Sequence, residues 1–310
     1  MALLRIALAV SLAVLGGAAV IRQPSLREVP YTHALRANPE ALRQHVAFLT
    51  SRSRSADDPR SLEEAAVYIE RAFRASGARV ESQPFTARTK RYRNVIARFG
   101  PETGAAMIVG AHYDAFSSLP GADDNASGTA GLLELARLLG RTTLKTPVTL
   151  VAYTTEEPPF FGSDEMGSAV HASSLTRSNT NVAGMICLEM IGYYADQQTW
   201  PNKVFALLYP SRGDFIAVGG GWDDRKLTRH VKRAIRGAGG VPVYSFTGAR
   251  MTLDASDQRN YWSAGWPAVL VTDTAFLRNP YYHTAEDTVE KLDYVKMSRV
   301  VDGVCNAVMK

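Results

Sequence analysis

The sequence predicts an α/β fold, a three-layer α/β/α arrangement with a mostly parallel central sheet. Three observations carry that expectation. Short apolar runs alternate with amphipathic stretches, the rhythm that lets crossover helices cover both faces of a parallel sheet. Acids and histidines fall just after the apolar runs rather than inside them. The 310 residues are 46% hydrophobic and 21% charged, enough apolar material to enclose one sizeable core.

Taken in order, helical spacing covers Pro39 to Leu49 and then Ser61 to Ser76. In the second, Leu62, Ala66, Ile69 and Phe73 recur on one face and Gly77 closes the helix. Arg79 to Thr86 and Asn94 to Phe99 read as paired strands. Met107 to Ala111 is a short apolar strand, followed by a helix over Gly128 to Leu139 behind a Ser127 cap. Val148 to Tyr153 is a strand, Asp164 to Ala172 a helix, and Val182 to Leu188 and Val204 to Tyr209 are strands. Asp224 to Arg236 is a helix, Val241 to Phe246 and Ala268 to Val271 are strands, and Tyr294 to Met309 is the closing helix. No internal repeat, low-complexity tract or linker interrupts residues 40–310, so residues 39–310 are expected to form a single domain, with residues 22–38 as a tether.

Residues 1–21 have the layout of a signal peptide or an N-terminal membrane anchor. Arg5 supplies the early charge, Ile6 to Val14 is continuously apolar, and Gly17, Ala18 and Ala19 offer small residues for cleavage. Uncleaved, the stretch Ile6 to Ile21 approaches the length of a membrane span. Either way the chain is expected to be exported: periplasmic, secreted or anchored. A membrane partner is expected only through this segment, and the protein is expected to be a monomer.

The net charge of +5 is concentrated in Arg88 to Arg93 and in the helix carrying Arg225, Lys226, Arg229, Lys232, Arg233 and Arg236. Such runs are usually a solvated face; an anionic membrane surface is the alternative. Nothing resembles a nucleic-acid module, so no nucleic-acid partner is expected. Cys187 and Cys305 read as buried thiols rather than a disulfide.

The polar residues at the strand ends are His112 and Asp114, then Glu156 and Glu157, then Glu189 and, past a loop, His283. In an open α/β sheet, ligands bind beyond the carboxyl ends of the strands, so these side chains are expected to converge. Histidines and carboxylates without cysteine suit zinc. One zinc needs only three protein ligands, so a larger set suggests two ions, about 3.5–4 Å apart, sharing a carboxylate. The His112-x-Asp114 spacing lets Asp114 sit behind His112 and fix its tautomer. Adjacent Glu156 and Glu157 point different ways, so one can bind metal while the other moves protons. Alone, a His-x-Asp or a Glu-Glu pair is more often solvated surface. Glu189 is the most telling, because a carboxylate directly after Met185 to Leu188 is costly to bury unpaired.

The motifs Val109-Gly110-Ala111-His112-Tyr113-Asp114, Gly121 to Gly128, Glu156-Glu157, Glu189-Met190-Ile191-Gly192 and His283-Thr284, in this order, resemble the co-catalytic zinc aminopeptidases of metallopeptidase family twenty-eight. The resemblance runs from about residue 40 to the C-terminus. It implies a zinc exopeptidase domain of phosphorylase/hydrolase-like fold, two Zn2+ per chain, and peptide substrates with a free N-terminus. It also implies His112 on the first zinc with Asp114 behind it, Asp124 as the bridging ligand, Glu156 as general base and Glu157 on the second zinc. Glu189 would stand where the family usually has an aspartate on the first zinc, and His283 would bind the second. Tyr282 would polarise the scissile carbonyl.

Two departures stand out. Glu189 is a methylene longer than aspartate, and Ser256-Asp257-Gln258 replaces the family's frequent Ser-Asp-His. The alternatives are a glutaminyl cyclase of similar fold with one zinc, a carboxypeptidase, and a non-catalytic receptor-like ectodomain. Phe116, Phe160, Phe161, Tyr193, Tyr194 and Trp222 lie near the motifs in sequence; they read as core or as the lining of an apolar pocket.

Overall fold

The computed structural model describes residues 16–24 and 27–309. The expected export signal, Met1 to Arg5 and Ile6 to Val14, lies outside the described residues. Residues 16–22 are helical, and among the described residues no helix is long and apolar enough to cross a membrane.

Eight strands form one sheet: β1 (Arg79–Ala87), β2 (Lys90–Phe99), β3 (Ala106–His112), β4 (Val148–Tyr153), β5 (Val182–Leu188), β6 (Ile216–Gly221), β7 (Val243–Gly248) and β8 (Ala268–Thr272). Their order is β1-β2-β4-β3-β5-β8-β6-β7. The centre, β4-β3-β5-β8, is parallel, as is β6 with β7. β1–β2, β2–β4 and β6–β8 pair antiparallel, so the sheet is mixed around a parallel middle. The helices are α1 (Pro39–Thr50), α2 (Pro59–Ala75), α3 (Gly128–Leu139), α4 (Gly167–Arg177), α5 (Lys203–Leu208), α6 (Arg225–Ala238), α7 (Gln258–Ser263) and α8 (Tyr294–Val308). α1, α2, α3, α6 and α8 pack together on one face, while α4 and α7 pack together on the other.

Strand alternation serves two cores. On β4, Leu150 and Ala152 join the larger cluster with α1, α2, α3 and α8, while Val151 and Tyr153 point into the second with Tyr261 and Trp262. Both cysteines are buried free thiols.

Several elements differ from the sequence reading. Val204 to Tyr209 is not a strand but the helix α5: the Asn202 side chain accepts from Val204 N and Phe205 N, and a short apolar run carries no periodicity to separate the two states. The strand of that region is instead β6, whose run of three glycines hides it from propensity. The helix expected at Asp164 to Ala172 begins at Gly167 and runs to Arg177. Ser127 does not cap α3; its backbone is already helical, and Asn125 Oδ1 accepts from Gly128 N instead (3.0 Å). The stretch expected to be a tether is fixed along α6 and α8: Val29 N donates to the Arg233 carbonyl, Tyr31 N to that of Gly237, and Ala37 N to Asp302 Oδ1.

Candidate metal centre

β3 ends on His112, Glu156 and Glu157 follow β4, and Glu189 follows β5. These strands are parallel neighbours in register, so their carboxyl ends share one edge of the sheet. Asp124 enters from a non-helical kink in the turn Ala122–Ser127 ahead of α3, and His283 from the loop after β8. The residues flanking the ligand positions are held in the left-handed region: Thr155 at φ 55°, Met190 at φ 51°, and His283 itself at φ 56°. Such backbone costs about 1–3 kcal/mol per residue and tends to collect at functional sites.

All the expected site residues come together. His112 Nε2 lies 3.2 Å from Glu189 Oε2, 3.4 Å from Asp124 Oδ1 and 3.7 Å from Glu156 Oε2. His283 Nε2 lies 3.0 Å from Asp124 Oδ2 and 3.4 Å from Glu157 Oε2. Asp124 thus turns one oxygen to each histidine. Two sets of donor atoms are close enough to share an ion: His112 with Glu156 and Glu189, and His112 with Asp124 and Glu157. The expected base Glu156 thus belongs to one of the two sets, although at 3.7 Å it stands farther from His112 than Glu189 or Asp124 does. Asp114 acts on His112 chiefly through its main chain, since Nδ1 lies 3.1 Å from the Asp114 carbonyl and 3.5 Å from Oδ1. Its Oδ2 accepts from Glu157 N (3.1 Å).

The electrostatics ask for positive charge. Burial pushes the Glu156 carboxyl well above the carboxylate range; His112 opposes this, and Glu189, Glu157 and Asp257 add to it. Burial and Asp124 push Glu157 up to about 7 against the pull of His283. Burial works against charge on His283, yet Asp124 and Glu157 raise it to about 9. His112 is likewise raised, as Glu189 and Glu156 outweigh its burial. Asp124 is buried too, but the two histidines hold it below the usual range. Glu157 Oε1 is buried without a hydrogen-bond partner. Such crowded carboxylates around two imidazoles, with no thiolate, fit zinc ions as the missing positive charge.

Aromatic rings frame the outer histidine. Phe116 stacks on His283 at 4.1 Å and Tyr282 at 3.8 Å. Burial and the carboxylates of Asp124, Glu157, Glu189 and Glu156 raise the Tyr282 phenol, which places its hydroxyl in their field. Phe160 is core, whereas Phe161 is exposed under the Arg259 guanidinium.

Several residues that hold the site were given no such role from sequence, although Asn125, Gly128 and Ser256 lie in motifs quoted above. Asn125 donates from Nδ2 to the Leu188 carbonyl and to Glu189 Oε2, and accepts at Oδ1 from Met190 N. A Cβ on Gly128 would come within 2.4 Å of Asn125 Oδ1, so only glycine lets α3 start this close. Ser256 Oγ donates to Glu189 Oε2 at 2.6 Å, which anchors the longer side chain. Asp287 accepts from Asp123 N and Asp124 N. Fully buried Arg54 donates to the carbonyls of Tyr113, Leu49, Pro120 and Gly121 and so ties down the segments bearing Asp114 and Asp124. Asp287, four residues past His283, was within reach of motif reading; Arg54 leaves no local signal.

Comparison with known proteins gives the family of the chain. Residues 94–308 match the model of peptidase family M28. The chain is 49% identical over 300 residues to the uncharacterized protein YfbL of Escherichia coli (strain K12), covering 92% of each. It is 28% identical to leucine aminopeptidase 1 of Grosmannia clavigera (strain kw1407 / UAMH 11150) over 66% of this chain and 49% of that one. The chain thus spans about half the length of that relative. In fold it is similar to the Legionella pneumophila LapA aminopeptidase (TM-score 0.71, 21% identity, 88% and 71% covered). It is also similar to Porphyromonas gingivalis glutaminyl cyclase (TM-score 0.69, 21% identity, 87% and 97% covered).

Proposed function

The chain belongs to peptidase family M28, and from that premise we propose that it is an exported zinc-dependent aminopeptidase that removes residues from peptide N-termini. The observation that carries the reading is Asp124, whose two oxygens face His112 and His283 at 3.4 and 3.0 Å, the disposition a bridging carboxylate needs. His112 and Glu189 would hold one ion with Asp124, and Glu157 and His283 the other. When bound, two zinc ions would polarise the scissile carbonyl and lower the pKa of the attacking water.

The chain's own groups do the rest. Glu156 takes the water proton and later passes it to the leaving amine. The Tyr282 hydroxyl donates to the developing oxyanion. Neighbouring carboxylates hold the substrate's free α-amino group, which restricts cleavage to the first bond. The second reading is a glutaminyl cyclase, favoured by the matching fold. Against it stands the complete set of side chains on the His283 side.

The test incubates the purified protein with a peptide library containing N-acetylated copies, with and without a zinc chelator, read by mass spectrometry. Stepwise shortening from free N-termini, abolished by acetylation and by chelator, is the expected result. Ammonia loss confined to N-terminal glutamine would establish the cyclase. Shortening from C-termini would establish a carboxypeptidase, and intact peptides would point to a non-catalytic role.

A further inference from the structure

Phe276 stands beside the centre with its ring in water. It is 67% exposed, and its ring centroid lies 5.9 Å from that of Tyr282, whose own ring stacks on His283 at 3.8 Å. One ring therefore separates it from the outer histidine. Single exposed apolar residues are ordinary on a protein surface, so exposure alone says little. The way the backbone carries this one says more.

Phe276 sits at the middle of the short turn Ala275–Leu277, in the loop between β8 and His283. The two residues before it, Thr274 and Ala275, are both left-handed, at φ 89° and 49°. Side chains disfavour that region, and a β-branched threonine most of all. The turn is nevertheless pinned from several sides. Asp273 Oδ1 accepts from Ala275 N (2.9 Å), and Gln198 Nε2 donates to Thr274 Oγ1 (3.0 Å). Leu277 N donates to the Thr274 carbonyl, and Thr199 N to the Leu277 carbonyl, both at 3.1 Å. Asn279 donates from Nδ2 to Asp123 Oδ2 (2.9 Å), one residue before Asp124. A strained and tightly held turn thus presents an apolar ring to solvent at a set distance from the centre.

What the ring meets follows from the direction of the substrate, and so rests on the aminopeptidase reading given above. In that reading the free α-amino group lies inward, among the buried carboxylates, and the scissile carbonyl reaches the Tyr282 hydroxyl. The rest of the peptide leaves outward, past the more exposed His283 side. A ring that stays largely in water cannot wall a closed pocket for the first residue. It stands where the chain emerges. We propose that Phe276 is a specificity-determining residue that packs against an apolar side chain at the second position of the peptide, the first after the scissile bond. A ring fixed before binding gives up little freedom on contact, so the encounter adds affinity.

Three substrates test this: leucyl-phenylalanyl-glycine, leucyl-diglycine, and leucine amide, which has no second residue. The zinc-loaded parent should favour the first over the second by roughly 2–10-fold in kcat/KM. Phe276→Ala should bring that ratio close to one, through KM rather than kcat. Phe276→Tyr keeps a ring and should keep the ratio. The same preference should appear in calorimetric binding of the two peptides with the scissile amide reduced to a methylene-amine. A preference that survives in Phe276→Ala would overturn the proposal. So would a loss on leucine amide as large as that on the phenylalanyl peptide, because the ring would then support the centre instead of touching substrate. A parent that releases leucine from none of the three would bring down the aminopeptidase reading itself, and the proposal with it.

Discussion

His112 and His283 turn the same ring nitrogen to the same aspartate, yet the His112 side chain is 1% exposed and that of His283 22%. The inner half of the centre is fixed by hydrogen bonds: Ser256 and Asn125 grip Glu189, and the Asp114 carbonyl orients His112. In the outer half Glu157 is likewise tied by its backbone N–H to Asp114, but the His283 ring is held by shape, between Phe116 and Tyr282. Hydrogen bonds specify distance and direction, whereas stacked rings tolerate sliding in plane. The more exposed half is also the one a substrate meets first. Two ions bound as proposed should therefore be held more rigidly on the inner side than on the outer.

Glu156 tests that division most severely, because it stands 3.7 Å from His112 on the inner side and is nonetheless assigned proton transfer. Glu156→Gln should lower kcat by about 10²–10⁴ while both ions stay bound. Glu157→Gln should deplete the outer ion. Metal content by atomic absorption beside steady-state kinetics separates them. Equal metal loss in both variants would make Glu156 an inner ligand and remove the division.

The wall behind the inner half gives the next effect. Burial pushes Asp257 up to about 7; His112 and Ser168 pull it down, and Glu189 and Asp114 push it up. A carboxyl raised in the folded state favours folding below its unfolded value near 3.8, and that contribution is lost as pH rises through about 7. In chelator, Asp257→Asn should therefore match the parent in urea unfolding near pH 4 and exceed it by about 1–3 kcal/mol at pH 8. A pH-independent difference would mean that Asp257 does not titrate in this window.

The convergence of His112, Glu156, Glu157 and Glu189 was legible because strand ends advertise themselves: an acid directly after Met185 to Leu188 has few bland explanations. Asp124, in a turn rather than at a strand end, entered only through the family resemblance. Element identity was legible wherever periodicity was long, as in α2 and α8. It failed at Val204 to Tyr209, where six residues fit either state and Asn202 decided the outcome, and at β6, whose glycines carry no strand preference. The supports were illegible for a different reason. Arg54 and Ser256 act on residues 59 and 67 positions away, on Tyr113 and Glu189, and no local pattern encodes such contacts. The inner half, built from such contacts, was thus foreseen in which side chains meet and not in its fastening.

That fastening is measurable. Ser256→Ala removes the 2.6 Å hydrogen bond to Glu189 and should weaken the inner ion by about 10–100-fold, leaving the outer one unchanged. Competition titration with a fluorescent chelator, resolving the two steps, reads this directly. Weakening of both ions alike would show that the halves are coupled through Asp124 instead of being held separately.

The smallest effect belongs to the outer half. Phe116→Ala removes one of the two rings against His283, a loss of about 0.5–1.5 kcal/mol, or roughly 2–10-fold in the affinity of the outer ion. The inner step of the same titration should not move. Tyr282→Phe keeps the other ring in place, so its outer-ion affinity should stay at the parent value while kcat falls through loss of the hydroxyl. If Tyr282→Phe weakened the outer ion as much as Phe116→Ala, the hydroxyl rather than the ring would be what holds that half. The outer site would then be fixed by polar contacts like the inner one, and its greater exposure alone would distinguish the two.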